Sequence, residues 1–140
     1  MRIYVDSSAL IKRAIREKES SALIDAVDQW VTERTVLYSS TLAWIEVSTV
    51  VRSRLDKEPP AKIVQSIENA VAGISECRIT EPVSEIARRL GPSTVRSLDA
   101  IHLATATLLG ADLFCAYDRR LLVAASELGF RTISPAYRPD

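Results

Sequence analysis

Short apolar runs alternate along this chain with longer stretches in which apolar residues return every third or fourth position. The first run, Ile3-Tyr4-Val5, is too short for a buried helix. It predicts a strand covered on both faces, as inside a parallel sheet. Asp6 ends the run, and Ser7 or Ser8 is placed to cap a helix with the stripe Ala9, Leu10, Ala14 and Ile15. Ser20 or Ser21 then opens a helix carrying Leu23, Ile24, Val27, Trp30 and Val31, and Thr35–Tyr38 predicts the second strand. Ser39, Ser40 or Thr41 caps a helix from about Leu42 to Leu55. Pro59-Pro60 breaks the chain and starts another, with Ile63, Val64, Ile67, Val71 and Ile74.

The alternation continues to the C-terminus. Cys77–Thr80 predicts a third strand, and Pro82 starts a short helix to Leu90 that Gly91-Pro92 stops. Ser97 caps a helix running to Leu109, and Gly110 closes it. Leu113–Ala116 predicts a fourth strand, Asp118 begins a helix ending at Gly129, and Arg131–Ile133 predicts a fifth strand. The last few residues are expected to fray. Strands alternating with helices call for an α/β, three-layer α/β/α fold around a central parallel sheet of about five strands. In such sheets ligands bind beyond the C-terminal ends of the strands, which is where Asp6 falls.

Length and composition narrow this picture. The 140 residues, 47% of them hydrophobic, fit a single domain spanning 1–140. No apolar run reaches the roughly 18 residues of a membrane span. The few residues before Asp6 hold no signal-peptide core, so a cytoplasmic location is expected. Cys77 and Cys115 sit in short apolar runs far apart, which predicts two buried structural thiols, neither paired nor holding zinc. A net charge of zero advertises no polyanion partner. Lys12, Lys18, Lys57 and Lys62 are the only lysines among the 18 basic residues; the rest are Arg, which grips phosphate bidentately. Codon bias explains that preference equally well.

Most of the acids, among them Asp25, Asp28, Glu33, Glu58, Glu68, Glu76 and Glu127, fall on polar helix faces or in loops and read as solvated surface. Four do not. Glu46 stands in the mostly apolar stretch Thr41–Val51, where a carboxylate must be paired, protonated or bound to a cation. A buried ion pair with an Arg is the plain structural explanation. Asp99 lies in the first turn of Ser97–Ala106, a helix apolar almost all round and so expected to be buried; a helix-dipole role alone explains it less well. Asp118 repeats the geometry of Asp6, following a buried strand and preceding a helix, and taken alone it is a simple N-cap. His102, one turn after Asp99, is read as a histidine packed against the sheet with one hydrogen bond, in preference to a phosphate contact or a partner for Asp99.

Four carboxylates brought together would repel unless a cation shared them or their pKa values rose. Mg²⁺ or Mn²⁺, hard ions that take carboxylate and water oxygens, suit that set. A cation so held can supply a water nucleophile and screen charge on a phosphate, which predicts phosphodiester hydrolysis with no histidine base.

The chain resembles a PIN domain, in particular the VapC-like toxins of bacterial type II toxin–antitoxin pairs. The residues that carry the resemblance are Tyr4–Lys12, Ser40–Val47, Leu98–Ala106, and Ala116–Leu121 followed by Ala124, Ala125 and Gly129. The resemblance implies a Mg²⁺- or Mn²⁺-dependent ribonuclease with Asp6, Glu46, Asp99 and Asp118 as its active site. Asp6 and Asp99 would be the direct ligands, and Glu46 and Asp118 would act through water or orient it. It also implies a homodimer, a small cognate antitoxin that itself binds operator DNA, and an RNA substrate, often a structured one such as tRNA. One departure stands out: the family often has Ser or Thr two residues before the last acid, and Ala116 stands there. A hydroxyl from Ser7 or Ser8 is the candidate replacement. For RNA, the basic residues close to the acids in sequence are Lys12, Arg13, Arg16, Arg96, Arg119 and Arg120, as phosphate contacts that position without reading sequence.

Other classes fit less well. A receiver-type phosphoacceptor needs an acidic pair near Asp6 and a Lys after a late strand, and both are missing. A haloacid-dehalogenase-like phosphatase needs an acid where Ser8 stands. The strongest competitor is a catalytically silent PIN scaffold that binds RNA or a protein partner.

Overall fold

The computed structural model describes residues 1–91 and 93–138. Five strands form one parallel sheet: β1 (Arg2–Val5), β2 (Val36–Ser40), β3 (Ser75–Cys77), β4 (Leu113–Cys115) and β5 (Arg131–Ile133), in the order β3-β2-β1-β4-β5. Among the described residues seven helices accompany them: α1 (Ser7–Ala14), α2 (Ser20–Thr32), α3 (Thr41–Arg54), α4 (Pro60–Val71), α5 (Glu81–Ala87), α6 (Ser97–Leu108) and α7 (Arg119–Glu127).

The period-2 geometry of β1 divides the core. Ile3 and Val5 point into one apolar layer with Leu10, Leu23, Val27, Val47 and Ala70. Tyr4 points into the other with Leu103, Ala106, Leu121 and Ala125. Ile3, Tyr4 and Val5 are completely inaccessible, as their unbroken apolar run requires. The predicted three-layer arrangement is therefore the observed one, and β1 is its centre.

The chain leaves β1 towards β2 on one side, while β4 pairs with β1 on the other, so the strand order reverses between them. A crevice outside the carboxyl ends of strands at such a reversal is the usual ligand site of open α/β sheets. Asp6 and Asp118 stand at that edge, and the Asp6 N–H donates to the Cys115 carbonyl at 2.9 Å.

Several local expectations are corrected. Asp6 itself caps α1, accepting from Ser8 N–H, so neither Ser7 nor Ser8 is the cap. The cap position of α2 is Glu19, and the Ser20 hydroxyl instead closes the α1–α2 turn by accepting from Glu17 N–H and donating to Ile15 O. Arg96 precedes α6 in place of Ser97, and Asp99 Oδ2 reaches back to its N–H at 3.4 Å. Of the candidates for α3, Ser40 is the cap. The third strand is Ser75–Cys77, earlier than Cys77–Thr80, because it is an edge strand whose exposed Ser75 and Glu76 carry no apolar signal.

The expected fraying fails up to Tyr137. Ser134 Oγ donates to Ala116 O at 2.6 Å, Tyr117 Oη donates to Pro135 O at 2.7 Å, and the rings of Tyr117 and Tyr137 meet edge to face at 6.1 Å. Pro139 and Asp140, and the Pro92 stop signal, lie outside the described residues. Both thiols are free, Cys115 buried and Cys77 only half-buried. Among the described residues no helix is long and apolar enough to cross a membrane.

Candidate active site

Asp6 is fixed by its own helix. Its Oδ2 accepts from Ser8 N–H at 3.0 Å and from Ser8 Oγ at 2.7 Å. The residue is 3% exposed, and Oδ1 has no hydrogen-bond partner. A buried carboxylate oxygen left open in this way is costly unless something positive approaches it. Asp118 caps α7, with Oδ1 accepting from Leu121 N–H at 3.0 Å, while the side chain stays exposed. Asp99 lies in the first turn of α6, its Oδ2 3.5 Å from Arg120 Nε. Glu46, in the second turn of α3, is held by His102: Nε2 to Oε1 is 2.6 Å. The alternative of a buried ion pair with Arg is not what the structure shows: the partner is a histidine, and Arg52 and Arg54 are exposed.

His102 is more than a packed histidine with one bond. Nδ1 lies 2.6 Å from Tyr4 Oη, Nε2 reaches Glu46, and Asp6 Oδ1 is 3.4 Å from the same Nε2. Tyr4 Oη in turn accepts from Ser40 N–H at 3.1 Å. Burial pulls the imidazole pKa down, but Asp6, Glu46 and Asp99 outweigh it, and the net shift is upward. Burial, then the charge of Asp6, raise the Tyr4 phenol and push the Cys115 thiol up to about 12, so both stay protonated and inert. Tyr4 and Ser40 were not singled out from the sequence as site residues. The available signal was a tyrosine in a fully buried strand, whose hydroxyl has to find a partner.

All four acids line one cleft of about 150 Å³, together with Ser7, Ser8 and His102. A wider hollow of about 420 Å³ shares Glu46, Asp99 and Asp118 and adds Arg96 and Arg120. Arg119 and Arg120 line a further hollow of about 510 Å³ with Val123. Lys12 and Arg13 line none of these, contrary to expectation. Lys12 is buried, with Nζ 3.0 Å from Glu17 Oε2, 2.9 Å from Glu19 Oε2 and 4.7 Å from the centre of the Tyr117 ring. Arg13 Nη1 donates to Ala70 O and Ala72 O at 2.9 and 2.8 Å, tying α1 to the end of α4. Proximity to Asp6 in sequence misled here, because the turns of α1 carry both side chains to packed neighbours. Ser8 uses its hydroxyl on Asp6 and the Tyr117 N–H, which leaves Ser7 as the cleft-lining serine without an assigned bond.

The residues fit a hard divalent cation. The donors are carboxylate oxygens, and the one buried side-chain oxygen of the cleft without a partner, Asp6 Oδ1, belongs to them. Among the described residues no three His, Cys, Asp or Glu side chains are closed up as a ready coordination shell. Glu46 Oε1 is engaged by His102 Nε2, and Asp118 Oδ1 by the Leu121 N–H.

A parallel sheet whose central strand ends in a buried acid, with three more acids around one cleft, defines a class, and comparison with known proteins agrees. The chain belongs to the PIN domain family, whose model matches residues 3–127. It is 42% identical over 136 residues to ribonuclease VapC46 of Mycobacterium tuberculosis, covering 96% of this chain and 98% of that protein. VapC20 of the same species, described as a sarcin–ricin loop cleaving toxin, shares the fold with a TM-score of 0.70 at 18% identity, over 95% of this chain and 99% of that one. VapBC2 of Rickettsia felis, solved bound to a DNA fragment from its promoter, shares it with a TM-score of 0.71 at 8% identity, over 96% and 99%.

Proposed function

We propose that this protein is a divalent-cation-dependent endoribonuclease, the toxin of a type II toxin–antitoxin pair. The observation that carries the reading is the meeting of Asp6, Glu46, Asp99 and Asp118 in one cleft at the switch point of the sheet. The ribonuclease name of a relative that matches nearly the whole chain supports it.

Asp6 and Asp99 are the residues that would hold Mg²⁺ or Mn²⁺, through the open Oδ1 of Asp6 and the cleft-facing carboxylate of Asp99. When bound, such an ion screens the charge that builds on the phosphate and acidifies a water molecule. Glu46 and Asp118 line the same cleft and would accept hydrogen bonds from a water held there. Ser8 keeps Asp6 from rotating, and Ser7 presents a hydroxyl to the cleft. Arg96, Arg119 and Arg120 face the adjoining hollows and contact phosphates of the RNA on either side of the cut. The substrate is a structured RNA such as tRNA. A small antitoxin neutralises the enzyme, which acts as a cytoplasmic homodimer and meets operator DNA only through that antitoxin.

One pair of observations favours the silent scaffold: the acids are not closed into a coordination shell, and Ala116 is buried without a hydroxyl. Incubating purified protein with a tRNA pool and Mg²⁺ or Mn²⁺ separates the two. Cleavage that chelation stops and Asp6→Asn abolishes supports the enzyme. RNA binding that survives Asp6→Asn, with no cleavage under either ion, supports the scaffold.

A further inference from the structure

The polar chain behind Glu46 points beyond the four acids. Among the described residues the Glu46 carboxylate has one partner, His102 Nε2. A flexible side chain, 28% exposed, is thus aimed by a single bond of 2.6 Å. The ring that aims it is itself immobile. His102 is 2% exposed, lies edge-on to Tyr4 with centroids 5.9 Å apart, and is bonded at Nδ1 to a hydroxyl that Ser40 N–H fixes. With a neutral imidazole protonated at Nε2 the directions agree: Ser40 N–H donates to Tyr4 Oη, Tyr4 O–H to Nδ1, and Nε2–H to Glu46. Nε2 donates towards Glu46 in either protonation state. A buried imidazole needs a partner at each ring nitrogen, and here the two partners are Tyr4 of β1 and Glu46 of α3. This one joins the central strand to the acid at the cleft mouth and holds it beside Asp6.

We propose that His102, braced by Tyr4, is the positioning residue that sets Glu46 as the water-orienting acid of the site and keeps it out of the cation's direct ligands. The inference rests on the nuclease reading above. It adds the device that sets Glu46 in that reading, a histidine braced from the central strand.

The test compares His102→Asn, His102→Gln, Tyr4→Phe and Glu46→Gln in the full chain. The Asn amide reaches only the Nδ1 position and loses Glu46, whereas the Gln amide nitrogen reaches the Nε2 position and keeps it. With RNA and saturating Mn²⁺, His102→Asn is expected to lower kcat about 10- to 100-fold with KM unchanged. Calorimetric Mn²⁺ affinity without RNA should stay within about twofold of the parent, as a role outside direct ligation requires. Tyr4→Phe should lower kcat in the same way by a smaller factor, and His102→Gln should recover most of the rate. The His102→Asn/Glu46→Gln double variant should be no slower than Glu46→Gln alone. In the cation-free protein, the ¹⁵N shift of His102 Nε2 should move in Glu46→Gln. Mn²⁺ affinity falling in step with rate, or multiplicative losses in the double variant, overturns the proposal. An unmoved Nε2 signal does the same. If the parent cleaves no RNA, the nuclease reading fails and the role of Glu46 falls with it, while the Nε2 signal still decides whether His102 fixes that carboxylate.

Discussion

Ser8 and Tyr117, far apart in sequence, are joined by a 2.9 Å hydrogen bond from the Tyr117 N–H to the Ser8 hydroxyl, which in turn donates 2.7 Å to Asp6 Oδ2. One hydroxyl thus ties the start of α1 to the β4–α7 connection and fixes the carboxylate of Asp6, a residue that lines the cleft and whose other oxygen is buried without a hydrogen-bond partner. It also supplies a hydroxyl to the acid site where Ala116 has none. Removing it orphans a backbone N–H and loosens the acid. Ser8→Ala is expected to cost about 1–3 kcal/mol of stability and to weaken Mn²⁺ binding, with Ser8→Thr retaining most of both. Denaturant titration and calorimetry check it; unchanged Mn²⁺ affinity in Ser8→Ala would show that Asp6 does not need this orientation.

Asp6 and Asp118 look alike in sequence, but the structure separates them. Asp6 is buried with an open oxygen, whereas Asp118 is exposed and serves as a cap. Asn caps a helix about as well as Asp does, and Ala costs about 1 kcal/mol. Asp118→Asn is therefore expected to keep full stability while losing activity, and Asp118→Ala to lose both. Asp6→Asn should abolish cleavage with no loss of thermal stability, because it removes a charge from a crowded acid site. Paired melting curves and RNA cleavage assays test this. A destabilised Asp6→Asn would mean the carboxylate serves the fold more than the chemistry.

The fold was legible because β1 is buried on both faces and says so in its composition: three consecutive apolar residues, then an acid. Asp6, Glu46 and Asp99 drew attention because each lies where a solvated side chain is out of place, and Asp118 because it repeats the placement of Asp6 after a buried strand. What escaped was anything decided by a partner distant in sequence. His102 looked like a packed core residue because neither Tyr4 nor Glu46 is its sequence neighbour. Glu19 drew no attention in the polar run Arg16–Ser20, yet it is buried against Lys12. β3 was misplaced because an edge strand with one covered side needs no apolar run.

The Lys12–Glu19 pair gives the molecule a pH dependence of its own. The Lys12 hydrogen bond holds the Glu19 carboxyl below the usual carboxylate range against the opposing effect of burial. A depressed acid contributes stability that is present above its unfolded pKa and is lost as pH falls through the folded one. Burial pushes the Lys12 ammonium down, but its bonds to Glu19 and Glu17 outweigh that and the net shift is upward. Its contribution is complete below the unfolded value and is lost as pH rises through the folded one. Lys12→Met should therefore melt below the parent at neutral pH, with the gap closing as the solution is acidified through the carboxylate range. A gap of constant size across that range sinks the claim.

The same pair takes Lys12 out of the cations that the proposed reading offers to RNA. Neutralising one phosphate of a single strand contributes about 0.7 to the slope of log affinity against log salt. Arg96→Ala and Arg120→Ala, at the hollow beside the acids, are each expected to weaken RNA binding and to flatten that slope by about 0.7. Lys12→Met should leave the slope unchanged, because its ammonium is already held by two carboxylates and an aromatic ring. Arg13→Ala should likewise leave it unchanged while lowering stability, since the guanidinium bonds two carbonyls at the end of α4. Fluorescence anisotropy with labelled RNA in chelator, repeated across a salt series, measures all four slopes. A Lys12→Met slope as flat as that of Arg120→Ala would move the RNA path from the α6–α7 side of the cleft to α1.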